Sequence, residues 1–305
     1  MKPLKDVIRP TLFLTSEKLS REMGLDLTIA TETFQRTGSF KFRAAYNTAL
    51  NTNTDHLITA SSGNFGQALA LACKMLRKRC HVVMPETSAQ VKIDAVRSLG
   101  AEVILIDTRS VGREERVSQL MEEFQDAYRA SAYDDENVIE GNSSLGDEIA
   151  ARSDFDAVIV PVGGGGLISG ISKGLCRAGD RAKLFGAEPA LGNDAARSLA
   201  SGELLKNESE PLTLADGART LSLGKQNWKI IRDGVKKIYE VPENSIRDAV
   251  HAYFLDLNLK VEPTGALSLA ALTDNHGDFA GKQVCCVVSG GNVDPAVYSD
   301  LISRH

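Results

Sequence analysis

Apolar residues fall in short runs along the chain, with helix-length segments between them. Residues 25–31 alternate apolar and polar and read as a strand. Further strand-like runs are predicted at 56–60, 80–84, 102–106, 156–160, 184–187, 237–241 and 283–288. Helices are predicted at 66–78, 88–99, 111–128, 167–177, near Ala195, at 243–256 and from Asp294. Continuous apolar strands alternating with helices predict an α/β fold, its sheets mostly parallel and covered by helices on both faces. Ligands of such sheets bind beyond the carboxyl ends of the strands. The chain's least ordinary residues fall at those ends.

The stretch Thr37-Gly-Ser-Phe-Lys41-Phe-Arg43 places a lysine between two aromatic rings at a helix start, with Ser39 as the expected N-cap. The positive end of a helix dipole and the loss of water both disfavour the ammonium. The resulting free amine can form a Schiff base with an aldehyde cofactor. The plain alternative is a structural lysine whose stem packs on the core. The loop Ser61-Ser-Gly-Asn-Phe-Gly66 opens a helix directly after a strand and offers backbone N–H groups to an anion, unless it is only a capped turn. Pro161-Val-Gly-Gly-Gly-Gly-Leu167 does the same with four consecutive glycines. That run costs conformational entropy and suits a phosphate cup better than a bare turn. It is neither the spaced dinucleotide fingerprint nor a Walker loop. Ser289-Gly-Gly-Asn292 follows the last strand and presents a neutral hydroxyl, or is a glycine-rich turn.

Length and composition narrow the class. With 305 residues the chain can build one large domain or two linked ones. Its net charge of −5, without runs of like charge, gives no footprint for nucleic acid. The most apolar segment, 157–171, is broken by the four glycines, so no membrane span is expected, and the N-terminus has no signal-peptide core. Five cysteines without a C-x-x-C pair suggest a reducing, cytoplasmic setting with no disulfide framework and no thiolate zinc site.

An aldehyde-reactive lysine, a phosphate cup and a neutral hydroxyl together suggest pyridoxal phosphate. The chain resembles the serine/threonine dehydratase and serine racemase family of fold-type II pyridoxal phosphate enzymes. The resemblance rests on Gly38-Ser-Phe-Lys41-Phe-Arg43, Ser61-Ser-Gly-Asn64, Gly163-Gly-Gly-Gly166-Leu, Glu188-Pro, Ala215-Asp-Gly217, Glu262-Pro-Thr-Gly-Ala266 and Ser289-Gly-Gly-Asn292, in family order from about Thr11 onward. It implies the two-domain, tryptophan synthase β-like fold. A large cofactor-binding domain would comprise 1–47 and 136–305, with a small mobile domain, 48–135, inserted in it.

The resemblance also implies roles. Lys41 would carry the Schiff base, with Phe40 beside it. Gly163, Gly164, Gly165, Gly166 and Leu167 would hold the cofactor phosphate. Ser289 would face the pyridine nitrogen, Asn64 the ring hydroxyl, and Glu262 would stand near the ring. The alternative for Glu262 is a cap on the helix after Pro263. Ser61, Ser62, Gly63, Asn64 and Phe65 would clamp the substrate carboxylate. Glu188, Asp194 and the Gly192 carbonyl would form a divalent-cation site of hard oxygens suited to Mg²⁺ or Ca²⁺, or else a solvated acidic loop. A serine opposite the ring nitrogen cannot stabilise a protonated pyridinium, which favours elimination over transamination.

The implied function is a lyase, a dehydratase acting on a serine- or threonine-like β-hydroxy L-amino acid. It would release a 2-oxo acid and ammonia, with Lys41 as base. The runner-up is racemisation, with Ser62 as the second acid–base group. β-Replacement and a non-enzymatic carrier rank lower. A homodimer without added regulatory domain is expected. Departures from the family fall on the substrate side. They are Phe65 in place of the usual histidine, Gly141-Asn-Ser-Ser144, Ser131-Ala132 before Tyr133, and Ala44-Ala45. No histidine sits in a motif, so none is assigned to catalysis.

Overall fold

The computed structural model describes residues 2–152 and 155–303. Its strands are β1 (Leu12–Thr15), β2 (Asp26–Thr31), β3 (His56–Ala60), β4 (Arg79–Pro85), β5 (Glu102–Ile106), β6 (Tyr128–Arg129), β7 (Ala157–Pro161), β8 (Lys183–Pro189), β9 (Val235–Val241) and β10 (Gln283–Val288). They form a six-stranded sheet in the order β1-β2-β10-β7-β8-β9 and a four-stranded sheet in the order β5-β4-β3-β6. Among these strands only the β1–β2 pair is antiparallel. The expected mostly parallel α/β arrangement is the one that forms.

The helices are α1 (Glu17–Met23), α2 (Lys41–Asn51), α3 (Asn64–Leu76), α4 (Gln90–Ser98), α5 (Arg113–Glu123), α6 (Glu136–Arg152), α7 (Gly166–Ala178), α8 (Asp194–Ser201), α9 (Lys225–Gly234), α10 (Glu243–Leu257), α11 (Pro263–Asp274) and α12 (Pro295–Ser303). Both faces of each sheet are covered, and the pleat shows how. Successive residues of a strand point to opposite faces. In the large sheet Ile159, Cys286 and Val288 join α10 and α11 in one core, while Val158, Val160, Cys285 and Val287 join α7 and α9 in another. In the small sheet Leu57, Val82 and Met84 pack with α2 and α3, and Ile58, Val83 and Ile106 pack with α5. Each fully buried aliphatic side chain stabilises by about 1.5–3 kcal/mol, which is why the strands read as unbroken apolar runs. All five cysteines are free thiols.

Several local expectations need correction. The helix predicted over 111–128 ends at Glu123. Phe124 then leaves helical geometry and packs on the rings of His56 and His81, so Tyr128 can enter a strand. Ser39 does not cap α2. Its backbone is extended and bridges Gly290, and the helix starts from Phe40 with no side-chain cap. The leading β1 and α1, together with α6 and α9, were not foreseen.

Helix α6 runs between α2 and α7 at backbone contact. A Cβ on Gly141 would lie 2.5 Å from the Arg43 carbonyl oxygen, and one on Gly146 the same distance from that of Ile171. From α7, a Cβ on Gly170 or Gly174 would come within 2.4 Å of Asn142 Cβ or the Ser143 oxygen. Across this contact Arg43, wholly buried, joins the helices by charge. Nε donates to Glu32 at 2.8 Å, and Nη2 to Glu32 at 2.9 Å and Thr11 at 2.8 Å. Nη1 donates to Glu148 at 2.7 Å and Ser144 at 3.0 Å. All five guanidinium donors are satisfied. The helix that begins with Lys41 is thereby fixed to the large sheet.

Candidate active site

Strands β3, β7 and β10 run into three small-residue loops, and all three loops line one cavity of about 400 Å³. Residues from both sheets contribute to it. Every cofactor- and substrate-site residue expected from the sequence lies on its wall.

Lys41 is the first residue of α2. Its Nζ donates to the Ala132 carbonyl at 2.7 Å and lies 5.0 Å from the Phe40 ring centroid and 5.7 Å from that of Phe65. Loss of water lowers the amine's pKa to about 8, against the opposing pull of the Glu262 carboxylate. About a tenth of the amine is therefore uncharged at pH 7.

Facing it, the loop 61–66 is drawn tight by Ser61, whose Oγ accepts from Gly66 N at 3.1 Å and Gly63 N at 3.4 Å. Asn64 opens α3. Its Nδ2 donates to both Glu262 oxygens, at 3.0 and 3.1 Å, and its Oδ1 accepts from Asn292 at 2.8 Å. Asn292 is held in turn by the Thr37 carbonyl at 2.6 Å. The Glu262 side chain makes no helix cap. It turns into the cavity instead, where burial, then the charge of Asp216, raises its pKa to about 8.

The glycine loop joins β7 to α7. Gly165 has φ 89°, a left-handed conformation that favours glycine. A Cβ on Gly164 would lie 2.3 Å from the Tyr133 ring. Close packing therefore demands glycine here as well as any bound group. Asn227 braces the loop from behind, donating to the Gly164 carbonyl at 2.7 Å. With α7 starting on the cavity wall, the loop presents a helix N-terminus to an anion.

At the end of β10, Ser289 is 2% exposed, and its hydroxyl has no hydrogen-bond partner among the described residues. A buried hydroxyl left without a partner costs about 1–3 kcal/mol. Beside a cavity with an amine and an anion cup, it fits the ring nitrogen of a bound cofactor.

The expected cation ligands lie elsewhere. The Glu188 oxygens accept from Ala195 N and Ala196 N at the start of α8. Asp194 accepts from Asn207 Nδ2 at 2.8 Å and Leu223 N at 3.0 Å. Both are buried, and desolvation lifts their pKa values to about 9 and about 6. Gly192 ends a short turn between them.

The cavity also holds Tyr133, Lys92, Arg113, Glu210, Asp216 and Arg219. Sequence reading assigned none of them a role. Lys92, Arg113 and Glu210 lie in no motif, and their meeting depends on how the two sheets face each other.

A buried lysine amine, a glycine-rich loop opening a helix and an unpartnered hydroxyl, all on one cavity at the ends of parallel strands, fit pyridoxal phosphate. Over residues 4–290 the chain matches the family described as pyridoxal-phosphate dependent enzyme, and it belongs to that family. It is 35% identical to the L-threo-3-hydroxyaspartate ammonia-lyase of Saccharomyces cerevisiae, over 98% of this chain and 93% of that one. It is 34% identical to the serine racemase of Mus musculus, over 95% and 88%. Among solved structures, the threonine deaminase of T.th. superposes with a TM-score of 0.90 at 37% identity, covering 95% of each chain. The fold is thus fold-type II, and the protein is a pyridoxal phosphate-dependent lyase.

Proposed function

We propose that the protein converts a β-hydroxy L-amino acid to a 2-oxo acid and ammonia, with the site residues in the following roles. The observation that carries the reading is the Lys41 amine, with its pKa near 8, in one cavity with the glycine cup and the unpartnered Ser289 hydroxyl. The ammonia-lyase and deaminase among its relatives support elimination. Pyridoxal phosphate, when bound, supplies the electron sink next to Cα. The loop 163–166 and Leu167 hold its phosphate, Ser289 Oγ meets the ring nitrogen, and Asn64 and Glu262 flank the ring hydroxyl. The start of α3, residues 61–65, receives the substrate carboxylate. Lys41 Nζ takes the α-proton. Phe40 and Phe65 keep water from that amine. Residues 48–135 serve as a small mobile domain over the site. A cytoplasmic homodimer belongs to the same reading, and sedimentation checks the assembly.

The experiment is a screen of β-hydroxy L-amino acids, scored for 2-oxo acid and ammonia in equal amounts. A holoenzyme that releases neither from any of them overturns the reading. Racemisation is the second reading, favoured by Ser62 on the cavity wall. Acid–base groups typically contribute about 10²–10⁴-fold. Ser62→Ala is therefore expected to lower the ratio of D-isomer to oxo acid by roughly that factor. An unchanged ratio removes Ser62 from the acid–base role.

The Glu188, Gly192 and Asp194 oxygens form the proposed site for Mg²⁺ or Ca²⁺. Two buried carboxylates whose pKa values are pushed up need either protons or a cation, and hard oxygens suit these ions. A ligand bound only to the folded state stabilises it. Chelation is expected to lower Tm by several degrees, and added Mg²⁺ or Ca²⁺ to restore it. The same melt on Glu188→Gln should show no response to either. If the wild type also shows none, the cation site is wrong.

A further inference from the structure

Thr37, Asn292, Asn64 and Glu262 lie far apart in the chain yet form one line of hydrogen bonds, the last three on the cavity wall. The line starts in the turn just before α2. Thr37 takes a left-handed conformation there, φ 60°, which is uncommon for a residue with a side chain. Loop 289–292 is laced to this turn by its backbone. Phe40 N donates to the Ser289 carbonyl at 2.9 Å, and Gly291 N to the Gly38 carbonyl at 3.0 Å. A Cβ on Gly38 would lie 2.4 Å from Asn292 Oδ1, so only glycine leaves room for that amide.

The polarity of the line is fixed at its first link. An amide side chain keeps its shape when oxygen and nitrogen are exchanged, so its partners decide which way it faces. A backbone carbonyl only accepts. Asn292 must therefore turn its NH₂ to the Thr37 carbonyl, 2.6 Å away, and the same nitrogen donates to Asn64 Oδ1 at 2.8 Å. With its oxygen so engaged, Asn64 presents its NH₂ to Glu262, at 3.0 and 3.1 Å. The two hydrogens of an amide diverge too widely for both to reach one carboxylate. One is shared between the Glu262 oxygens, and the other is left for the cavity.

We propose that Asn292 is a positioning residue for the cofactor ring, fixing the Asn64 amide so that a donor, and not an acceptor, meets the ring hydroxyl oxygen. The inference rests on the reading above that Asn64 flanks this oxygen, and adds what sets its direction. A hydrogen bond to the charged form favours that form, so the donor holds the oxygen ionised. The proton it gives up is then kept on the neighbouring Schiff-base nitrogen, where it strengthens the electron sink. Asn292→Asp reverses the polarity with almost no change of shape. The new carboxylate faces two acceptors, the Thr37 carbonyl and Asn64 Oδ1. The Asn64 amide relieves one of these clashes by turning over, which points its oxygen at the cavity.

The test is the absorption spectrum of the holoenzyme, without substrate and at one pH. The yellow band of the ionised ring oxygen is compared with the near-ultraviolet band of the neutral one. The variants are Asn292→Asp, Asn292→Ala, Asn64→Ala and the double variant Asn64→Ala with Asn292→Asp. A hydrogen bond to a charged group is worth enough that Asn64→Ala and Asn292→Asp should each lower the yellow share by about tenfold. Asn292→Ala, which frees the Asn64 amide to turn, should fall between Asn292→Asp and the wild type. In the double variant the second change should add less than about twofold, because Asn292 acts only through Asn64. If Asn64→Ala moves the bands and neither Asn292 variant does by more than about threefold, the positioning role is overturned and the reading of Asn64 stands. If Asn64→Ala leaves them unmoved, the reading of Asn64 fails, and the proposal with it. A full further shift in the double variant, or Asn292 variants that hold no cofactor, would assign Asn292 to the fold and also overturn the proposal.

Discussion

Replacing Lys41 by alanine is expected to cut turnover by about 10⁴-fold or more and to abolish covalent capture of the cofactor. The size follows from two losses at one atom. Nζ is the amine that joins the cofactor aldehyde, and it is the base for the α-proton. The surrounding wall stays intact, because among the described residues the Lys41 amine makes a single hydrogen bond, to the Ala132 carbonyl. The variant should therefore still bind pyridoxal phosphate through the glycine cup, but release it on gel filtration. Its cofactor-free form should melt close to the wild type, since the cost of burying the amine opposes what its hydrogen bond to the Ala132 carbonyl and the nearby Glu262 charge contribute. The wild-type amine carries a matching pH signature. Covalent capture of added cofactor by the cofactor-free protein should quicken roughly tenfold per pH unit at low pH. It should level off above pH about 8, where the amine is already neutral. A flat profile across that range, or a Lys41→Ala protein that keeps turnover, sinks the assignment.

Arg43→Met is expected to destabilise the protein by about 3–5 kcal/mol, the usual cost of removing one partner of a buried ion pair. Glu32 is 1% exposed and takes two of the guanidinium's hydrogen bonds. The substitution strands that charge, and it also removes the bonds to Thr11, Ser144 and Glu148. Methionine fills much of the volume, so the loss is one of charge pairing more than of packing. The denaturant midpoint should fall with an unchanged slope. A second variant, Arg43→Met with Glu32→Gln, should recover part of the loss, because it no longer buries an unpaired charge. No recovery would mean that the packing of α2, and not the ion pair, sets the stability there.

Much of this architecture was legible in the chain because fully buried parallel strands are short apolar runs bounded by turn residues, and their length separates them from buried helices. The strands at 56–60, 102–106 and 283–288 were placed to the residue. Loops at strand ends were legible too, since Ser61, Gly163 and Ser289 follow such runs closely. What was lost is instructive. Helix α6 went unseen because its middle, Gly141-Asn-Ser-Ser144, has poor helix propensity. There the helix is held by backbone contact with α2 and α7, so tertiary packing overrides propensity. Ser39 looked like a cap, but the chain needed it extended to bridge Gly290. Lys92, Arg113, Glu210 and Arg219 were invisible as site residues. They come from separate segments of the chain, and no local pattern records that they meet.

The glycine contacts of α6 have a further consequence, for how this chain can change. A methyl group at Gly141, Gly146, Gly170 or Gly174 would overlap a neighbouring backbone or Cβ atom, so a saturation library should show these four positions dead or nearly so. None of them touches the cavity. Lys92 and Arg113, by contrast, are partly exposed and sit outside every core cluster. Foldedness and the make-up of the cavity wall are thus written on different letters. Lineages, or a directed-evolution campaign, can redraft the second set freely so long as the first is copied without error.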